Sequence, residues 1–248
     1  MATSLKKERL DRVLFDKGLV DSREKAKALI LEGGVSVNGT VVDKAGTQVR
    51  PDDVISLARK MPYVSRGGLK LEHALKEFEI VVKNKVAMDV GASTGGFTDC
   101  LLQNGAAKVY AIDVGYGQID LKLRNDDRVS VIEKTNIRYM KREIIHNDID
   151  IATIDVSFIS LLKVIPRIME FLTPEGEIVA LIKPQFEAGR KDVGKGGVVK
   201  DERVHRTVIE KIKTASEGMG MEVLGTTPSP VKGPKGNIEF LIYMRKPR

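Results

Sequence analysis

The most informative segment for chemistry is a glycine-rich loop that follows a predicted buried strand at 86–90. The strand contains Asp89, and the loop has the spacing Gly91-x-x-x-Gly95-Gly96 before a predicted helix begins. Glycines let a backbone approach a ligand closely, and the start of a helix can bind a charged group. The spacing differs from the G-x-G-x-x-G pattern of dinucleotide enzymes, in which Asp89 would face the pyrophosphate. An acidic residue at this place favours a cationic ligand.

S-adenosylmethionine is such a ligand, because its ammonium group and its sulfonium centre are both positive. Asp113 ends the next predicted strand, 22 residues after Gly91, where related folds bind ribose hydroxyls. We therefore predict S-adenosylmethionine as the cofactor. A tight turn without a ligand is the alternative, and it would make both carboxylates coincidental. For Tyr116 and for 133–138, ligand contact and loop packing both remain open. The predicted cofactor contacts are Asp89, Gly91, Ser93, Thr94, Gly95, Gly96, Phe97, Asp113, Val114 and Asn136.

Two charged residues follow later predicted strands. Asp155 follows the strand at 149–154, and Lys183 follows the strand at 178–182. Since the carboxyl ends of parallel strands share one edge of a sheet, these side chains are expected close together. The N-P-P-Y-like tetrad of enzymes that methylate exocyclic amines is missing from this place. Cys100 lies in a predicted helix, which does not suit a nucleophile for carbon methylation.

Strands and helices alternate after residue 67, which predicts an α/β fold of Rossmann type, with a mostly parallel seven-stranded sheet and flanking helices. A helix is expected at 68–77, and an antiparallel direction is considered for the last strand. The strands are predicted at 86–90, 108–114, 129–132, 149–154, 178–182, 221–227 and 238–244.

The first fifty-seven residues predict a small α+β module with two helices, a hairpin at Asn38-Gly39 and one further strand. The net charge is +7 and the pI is near 9.3, which weakly favours a polyanionic partner. The distribution is more informative, because basic residues concentrate in the first two helices. These residues are Lys6, Lys7, Arg9, Arg12, Lys17, Arg23, Lys25 and Lys27. Solvation of the outer helix faces is the alternative for each of them.

The run from Arg9-Leu-Asp-Arg12 through Ser22–Ala26 and Ile30 to Gly33-Gly-Val-Ser-Val-Asn38-Gly39 resembles an S4 domain. The resemblance implies binding to structured RNA. The matching contacts are Arg9, Arg12, Arg23, Lys25 and Lys27, and Arg66 is added as a further predicted RNA contact.

The two charged strand ends, with Lys70 and Glu239, resemble the Lys-Asp-Lys-Glu tetrad of the FtsJ-like ribose 2′-O-methyltransferases. Together with the S4 segment, the match is close to the TlyA family. The resemblance implies a catalytic centre of Lys70, Asp155, Lys183 and Glu239, and methylation of cytidine in ribosomal RNA. We hypothesise that Lys183 activates the hydroxyl, that Asp155 orients Lys183, and that the other pair completes the charge network. A structural ion pair, a turn cap and a solvated helix face are the alternatives.

The expected organisation is an S4-like RNA-binding domain at 1–58, a linker at 59–66 and an FtsJ-like methyltransferase domain at 67–248. The glycine-rich basic segment 187–200 is either a lid that closes on RNA or a surface connection. His205 is expected to be structural.

No run of 18 apolar residues or secretory signal occurs, and Cys100 is the single cysteine. We therefore expect a cytoplasmic protein that lacks disulfides, a bound metal and a membrane span. The partners expected are ribosomal RNA or ribosomal subunits, and the oligomeric state is open. The rival functions are a non-catalytic RNA-binding protein, a membrane-lytic hemolysin, and a methyltransferase that acts on a base or on tRNA.

Overall fold

The computed structural model describes residues 7–31, 34–57 and 61–248. The chain divides into two compact units, Met1–Pro62 and Tyr63–Arg248. The division falls inside the predicted linker, so Tyr63 to Arg66 belong to the second unit. Lys6 and Gly33, which the sequence interpretation used, lie outside the described residues.

The first unit contains two short helices and five short strands among its described residues, and the predicted helices and hairpin are confirmed. Asn38 and Gly39 both have positive φ, +50° and +78°, as a type I′ hairpin turn requires. Strands β3, β2 and β5 form one antiparallel sheet, and β1 pairs with β4. The last pairing was not predicted, because two-residue strands leave no hydrophobic pattern. In chain order the elements are β1 Glu8–Arg9, α1 Leu10–Asp16, α2 Arg23–Leu31, β2 Val35–Val37, β3 Thr40–Val41, β4 Gln48–Val49 and β5 Ile55–Leu57.

The second unit is built on a seven-stranded sheet, as predicted. The strands are β6 Val86–Val90, β7 Lys108–Ile112, β8 Val129–Ile132, β9 Ile149–Ile154, β10 Leu172–Ile182, β11 Glu222–Pro228 and β12 Phe240–Arg245. Their spatial order is β11-β12-β10-β9-β6-β7-β8. Strands β6 to β10 pair in parallel, whereas β12 is antiparallel to both of its neighbours. The strand order reverses at β6, which is where open α/β sheets bind ligands.

Helices cover both faces of this sheet. Successive residues of β6 point to opposite faces, so Met88 joins one buried apolar cluster and Ala87 the other. No helix among residues 7–31, 34–57 and 61–248 has the length and apolar character needed to cross a bilayer. The helices are α3 Gly67–Glu77, α4 Gly96–Gln103, α5 Leu121–Arg124, α6 Ile165–Met169, α7 Pro184–Glu187 and α8 Glu202–Gly218.

Candidate active site

The glycine-rich loop between β6 and α4 packs so closely on its neighbours that side chains would not fit. Gly91 has φ +85°, and a methyl group there would lie 2.5 Å from the backbone oxygen of Asp155. Gly95 has φ +94°, and its methyl group would lie 2.2 Å from Leu123 Cδ1. Both positions therefore require glycine, as the sequence pattern indicated. The loop brings the ends of β6 and β9 together.

Asp89 lies beneath this loop, and no part of its surface is exposed. Its carboxylate accepts hydrogen bonds from Thr98 Oγ1 at 2.7 Å and Thr153 Oγ1 at 3.0 Å. Burial raises the pKa of Asp89 to about 6, because desolvation disfavours the charged form. The carboxylate thus connects α4 to β9, a contact that the sequence interpretation missed. Its predicted contact with a cofactor stays a prediction, since Asp89 does not line the adjacent cavity.

A cavity of about 230 Å³ opens at the carboxyl edge of the sheet, next to the glycine loop. Of the predicted cofactor contacts, Gly91, Ser93, Thr94, Gly96 and Phe97 line it. The other lining residues are Ser65, Arg66, Gly67, Lys70, Ala92, Asp155, Val231, Lys232 and Gly233.

The four residues of the predicted tetrad form two ion pairs at this edge. Lys70 Nζ lies 2.6 Å from Glu239 Oε2, and Lys183 Nζ lies 2.5 Å from Asp155 Oδ1. The second contact lacks hydrogen-bond alignment, but Lys183 also donates to Ser157 Oγ at 2.9 Å. Lys70 and Asp155 line the cavity, whereas Glu239 and Lys183 do not. Each pair therefore has one member in the cavity wall and a buried partner behind it.

Three predicted cofactor contacts lie at the ends of β7 and β8 and not in the cavity wall. The Asp113 carboxylate accepts hydrogen bonds from the backbone N–H groups of Ser93 at 2.8 Å and Gly115 at 2.6 Å. Val114 is exposed, and the Asn136 side chain accepts from the backbone N–H of Arg138 at 3.1 Å. In this conformation Asp113 and Asn136 hold loops, and their contact with a cofactor stays a prediction.

Most cations predicted to bind RNA in the first unit have acidic partners within that unit. Arg9 and Arg23 both pair with the buried Asp11, at 2.9 and 3.1 Å. These guanidinium groups, Arg9 foremost, lower the pKa of Asp11 to about 2. Two further pairs are Arg12 with Asp16 and Lys25 with Asp21. Lys27 is exposed and has no acidic partner in the described part of the chain.

Several residues of the site were not predicted from the sequence. Ser65 packs on the glycine loop, and Lys232 lines the cavity from the segment between β11 and β12. The density of proline and glycine at 228–236 was the available signal, because it marks a shaped loop.

Phe158 was also not predicted as a site residue, although it lies three residues after Asp155 at the end of the same strand. It is 89% exposed and has φ +62°, an uncommon backbone for a bulky residue. Its ring lies 4.8 Å from the ring of Phe186. The face of this ring is therefore accessible from solvent.

Comparison with known proteins agrees with this architecture. A model of the FtsJ-like methyltransferase family matches residues 63–246, and a model of the S4 domain matches residues 8–55. YqxC of Bacillus subtilis, provisionally named an rRNA methyltransferase, is 49% identical over 98% of this chain and 87% of its own length. TlyA of Mycobacterium tuberculosis, named a 16S/23S rRNA (cytidine-2′-O)-methyltransferase, is 40% identical over 97% of this chain and 90% of its own.

Among solved structures, one from Streptococcus thermophilus that carries the name hemolysin is 44% identical. It superposes with a TM-score of 0.77 over 98% of this chain and 90% of its own. The shared fold, the two domain matches and the near-complete coverage agree with one another. This chain therefore belongs to the FtsJ-like methyltransferase family, in the S4-containing group that includes TlyA.

Proposed function

We propose that this protein transfers a methyl group from S-adenosylmethionine to a ribose 2′-hydroxyl of cytidine in ribosomal RNA. The observation that supports the proposal most directly is the presence of two ion pairs at the cavity, Lys70 with Glu239 and Lys183 with Asp155. Lys70 and Asp155 stand in the cavity wall, each with a buried partner of opposite charge. Burying such charges is costly, and ionisable groups grouped in a cavity in this way are typical of functional sites.

The residues present fit the aminoacyl end of S-adenosylmethionine. The backbone of the glycine loop forms one wall of the cavity, and no side chain at Gly91 or Gly95 could be accommodated. Asp155 lines the same space. A bare backbone beside a carboxylate suits a small ligand that carries an ammonium group. When bound, S-adenosylmethionine would supply an electrophilic methyl group at its sulfonium.

The chain's own residues would activate and hold the acceptor. A ribose hydroxyl is a poor nucleophile because it holds its proton far above neutral pH. A lysine nearby stabilises the developing oxyanion or accepts its proton. Lys183 would accept the proton as the hydroxyl oxygen takes the methyl group, and Asp155 and Ser157 would hold the ammonium that forms. Lys70 and Glu239 would hold the ribose in line with the methyl group, and alignment supplies much of the rate.

The acceptor is supported by charge and by an aromatic surface. Arg66 and Lys232 line the cavity and are exposed, which suits phosphates beside the target ribose. The ring of Phe158 offers a face on which the target base could stack, as is common in RNA recognition. Ribosomal RNA and cytidine are proposed because the named TlyA relative acts on them.

The test compares the full chain with its Lys183→Met variant. Purified protein is incubated with radiolabelled S-adenosylmethionine and ribosomal subunits from a strain that lacks this protein. We expect label in alkali-resistant dinucleotides that contain cytidine, because alkaline cleavage requires a free 2′-hydroxyl. Lys183→Met should lower the rate by at least about 100-fold, while calorimetry gives an unchanged affinity for S-adenosylmethionine.

Each outcome against the proposal is distinct. Near-normal transfer by Lys183→Met would remove Lys183 from its assigned role. Alkali-labile label in the wild-type reaction would indicate base methylation. An absence of binding heat with S-adenosylmethionine would favour a non-catalytic RNA-binding protein.

A further inference from the structure

Two loops, one of which lines the cavity, are joined by hydrogen bonds into one surface, called here the rim. The first loop is 188–201, between α7 and α8, and the second is 229–237, in the segment between β11 and β12. The first loop has regular structure, with a 3-10 turn at Arg190–Asp192 and a bridge between Gly194 and Val198. Its last part is anchored, because Val199 is buried and its carbonyl lies 3.0 Å from the buried His205 Nε2. This arrangement gives His205 the structural role that was expected.

Asn237 joins the two loops. Its Oδ1 accepts a hydrogen bond from the Val199 N–H at 3.1 Å, and its Nδ2 donates to the Gly197 carbonyl at 2.9 Å. Its own carbonyl accepts from the Gly233 N–H at 2.9 Å. One buried side chain therefore fixes the first loop, while its backbone fixes the second.

The second loop also packs directly on the candidate catalytic centre. A methyl group on Gly233 would lie 2.1 Å from Glu239 Oε1, so a side chain at this position would displace that carboxylate. Glu239 follows Asn237 by two residues and pairs with Lys70. Gly233 and Lys232 both line the cavity. The rim is thus continuous with the place where the ribose would be held.

The rim is rich in cations that are available for binding. Its exposed cations lack an acidic partner within the described residues. The acids of the first loop are Asp192 and Asp201, and Asp201 pairs with Arg203 of α8. Unpaired cations keep their full attraction for phosphate, whereas paired ones must first leave their partners. The rim cations are Arg190, Lys191, Lys195, Lys200, Lys232 and Lys235.

We propose that the rim binds the phosphates of the RNA strand next to the target ribose, and that Asn237 is the positioning residue that sets the rim relative to Glu239. This inference rests on the proposed function, because it assumes an RNA acceptor. It replaces the two alternatives for 187–200, a lid or a surface connection, with a fixed binding surface. Phosphate contacts of this kind position a strand without reading its sequence.

The first test removes rim charge. Lys191→Gln/Lys195→Gln and Lys232→Gln are compared with Lys213→Gln, which removes a lysine paired with Glu210 on α8. We expect the rim variants to raise the KM for ribosomal subunits several-fold, with little change in affinity for S-adenosylmethionine. The dependence of log K on log salt should become shallower by about 0.7–0.9 for each phosphate that the variant no longer neutralises. The Lys213→Gln control should keep the wild-type KM and slope.

The second test concerns Asn237. Asn237→Ala loses both side-chain bonds to the first loop, whereas Asn237→Asp can still accept from the Val199 N–H. We expect KM to rise more for Asn237→Ala than for Asn237→Asp. Combining Asn237→Ala with Lys191→Gln/Lys195→Gln should add little further, because both changes act on one surface. Fully additive effects would contradict the positioning role.

The outcomes separate this inference from the proposed function. Normal methylation with an unchanged KM and salt slope in the charge variants would overturn the rim and leave the proposed function intact. If the wild-type protein transferred no methyl group, the proposed function would fail. Filter binding to the same subunits, with its salt slope, would then still test the rim. If Asn237→Ala does not fold, the KM values of the charge variants and of Asn237→Asp test the proposal instead.

Discussion

Asp11 in the first unit and Asp89 in the second are both fully buried carboxylates, but they have different partners. Asp11 pairs with two arginines, which lower its pKa to about 2. Asp89 accepts hydrogen bonds from two threonine hydroxyls, and burial raises its pKa to about 6. Asp11 therefore stabilises its unit above about pH 4 and loses this contribution as the pH falls toward about 2. Ionisation of Asp89 lowers the stability of the fold, because its pKa is higher in the folded chain than in the unfolded chain.

A similar contrast separates most of the predicted RNA contacts of the first unit from the rim cations of the second. In the first unit, Arg9, Arg23, Arg12 and Lys25 are engaged by acids of that unit. In the second unit, the rim cations have no such partners among the described residues. The dense basic run near the start of the sequence therefore offers less free charge than its composition indicates. Charge that is available to a ligand depends on pairing, which only the fold reveals.

The largest effect is expected from a change in the buried Lys70–Glu239 ion pair, to which we assign a role in catalysis as well as in stability. Glu239→Gln removes the anion that holds Lys70, while keeping an oxygen that can accept from its ammonium. We expect kcat for rRNA methylation to fall about 100-fold or more, the size typical for removal of a charged group from an active site. Single-turnover assays at saturating cofactor measure this step.

The matched change in the first unit is Asp11→Asn, which leaves Arg9 and Arg23 without their anion. It should lower the stability of that unit and alter the KM for RNA, with kcat unchanged. Equal losses of kcat in both variants would mean that the Lys70–Glu239 pair is structural, like that of Asp11.

An intermediate effect is expected from the exposed aromatic beside Asp155. Phe158→Ala should raise the KM for ribosomal subunits by about 5- to 150-fold, because stacking of a base on an aromatic ring contributes about 1–3 kcal/mol. Phe158→Tyr should retain most of the affinity. Phe15→Ala is the control, since Phe15 is a partly exposed aromatic of the first unit. An equal rise in KM for Phe158→Ala and Phe15→Ala would contradict the stacking role of Phe158.

The parts of this molecule that the sequence predicted are those with a repeating physical signal. Strands β6, β9 and β10 are buried on both faces, so they appear as short continuous apolar runs. The carboxyl ends of such strands meet at one edge, which brought Asp155 and Lys183 together as expected. Glycine spacing predicted the tight loop, because few other residues adopt its backbone.

The parts that sequence reasoning missed depend on partners that are distant in the chain. Asp89 is separated from Thr153 by 64 residues, and no local pattern indicates that hydrogen bond. Asn237 looked like an ordinary loop residue, yet it connects two loops through Val199 and Gly233. The ion pairs of four of the five cations predicted to bind RNA in the first unit were also not predicted, since residue identity alone does not specify geometry.

A smaller effect is expected for stability, from the raised pKa of Asp89. The native state holds this proton up to about pH 6, whereas the unfolded chain releases it near about pH 4. Stability should therefore fall as the pH rises from about 4 to about 6, by up to about 3 kcal/mol. Asp89→Asn has no such charge, so it should gain stability relative to wild type over this range. Urea unfolding of both proteins across a pH series from about 4 to about 7 measures the difference.

The Asp89→Asn variant also tests the contact between Asp89 and the cofactor that was predicted from the sequence. A large loss of affinity for S-adenosylmethionine in Asp89→Asn would mean that the carboxylate reaches the ligand. A stability difference that is constant with pH would contradict the raised pKa of the buried Asp89.

The smallest effect is expected within α2, where a paired and an unpaired lysine lie two residues apart. Lys27→Gln removes a free charge, and should weaken RNA binding a few-fold and lower the salt slope by about 0.7–0.9. Asp21→Asn/Lys25→Gln removes a neutral ion pair and should change neither. Filter binding to ribosomal RNA across a salt series measures both. An equal loss in the double variant would mean that Lys25 leaves Asp21 to bind phosphate. The ion pairs of the first unit would then be a resting arrangement, and its cations as available to RNA as those of the rim.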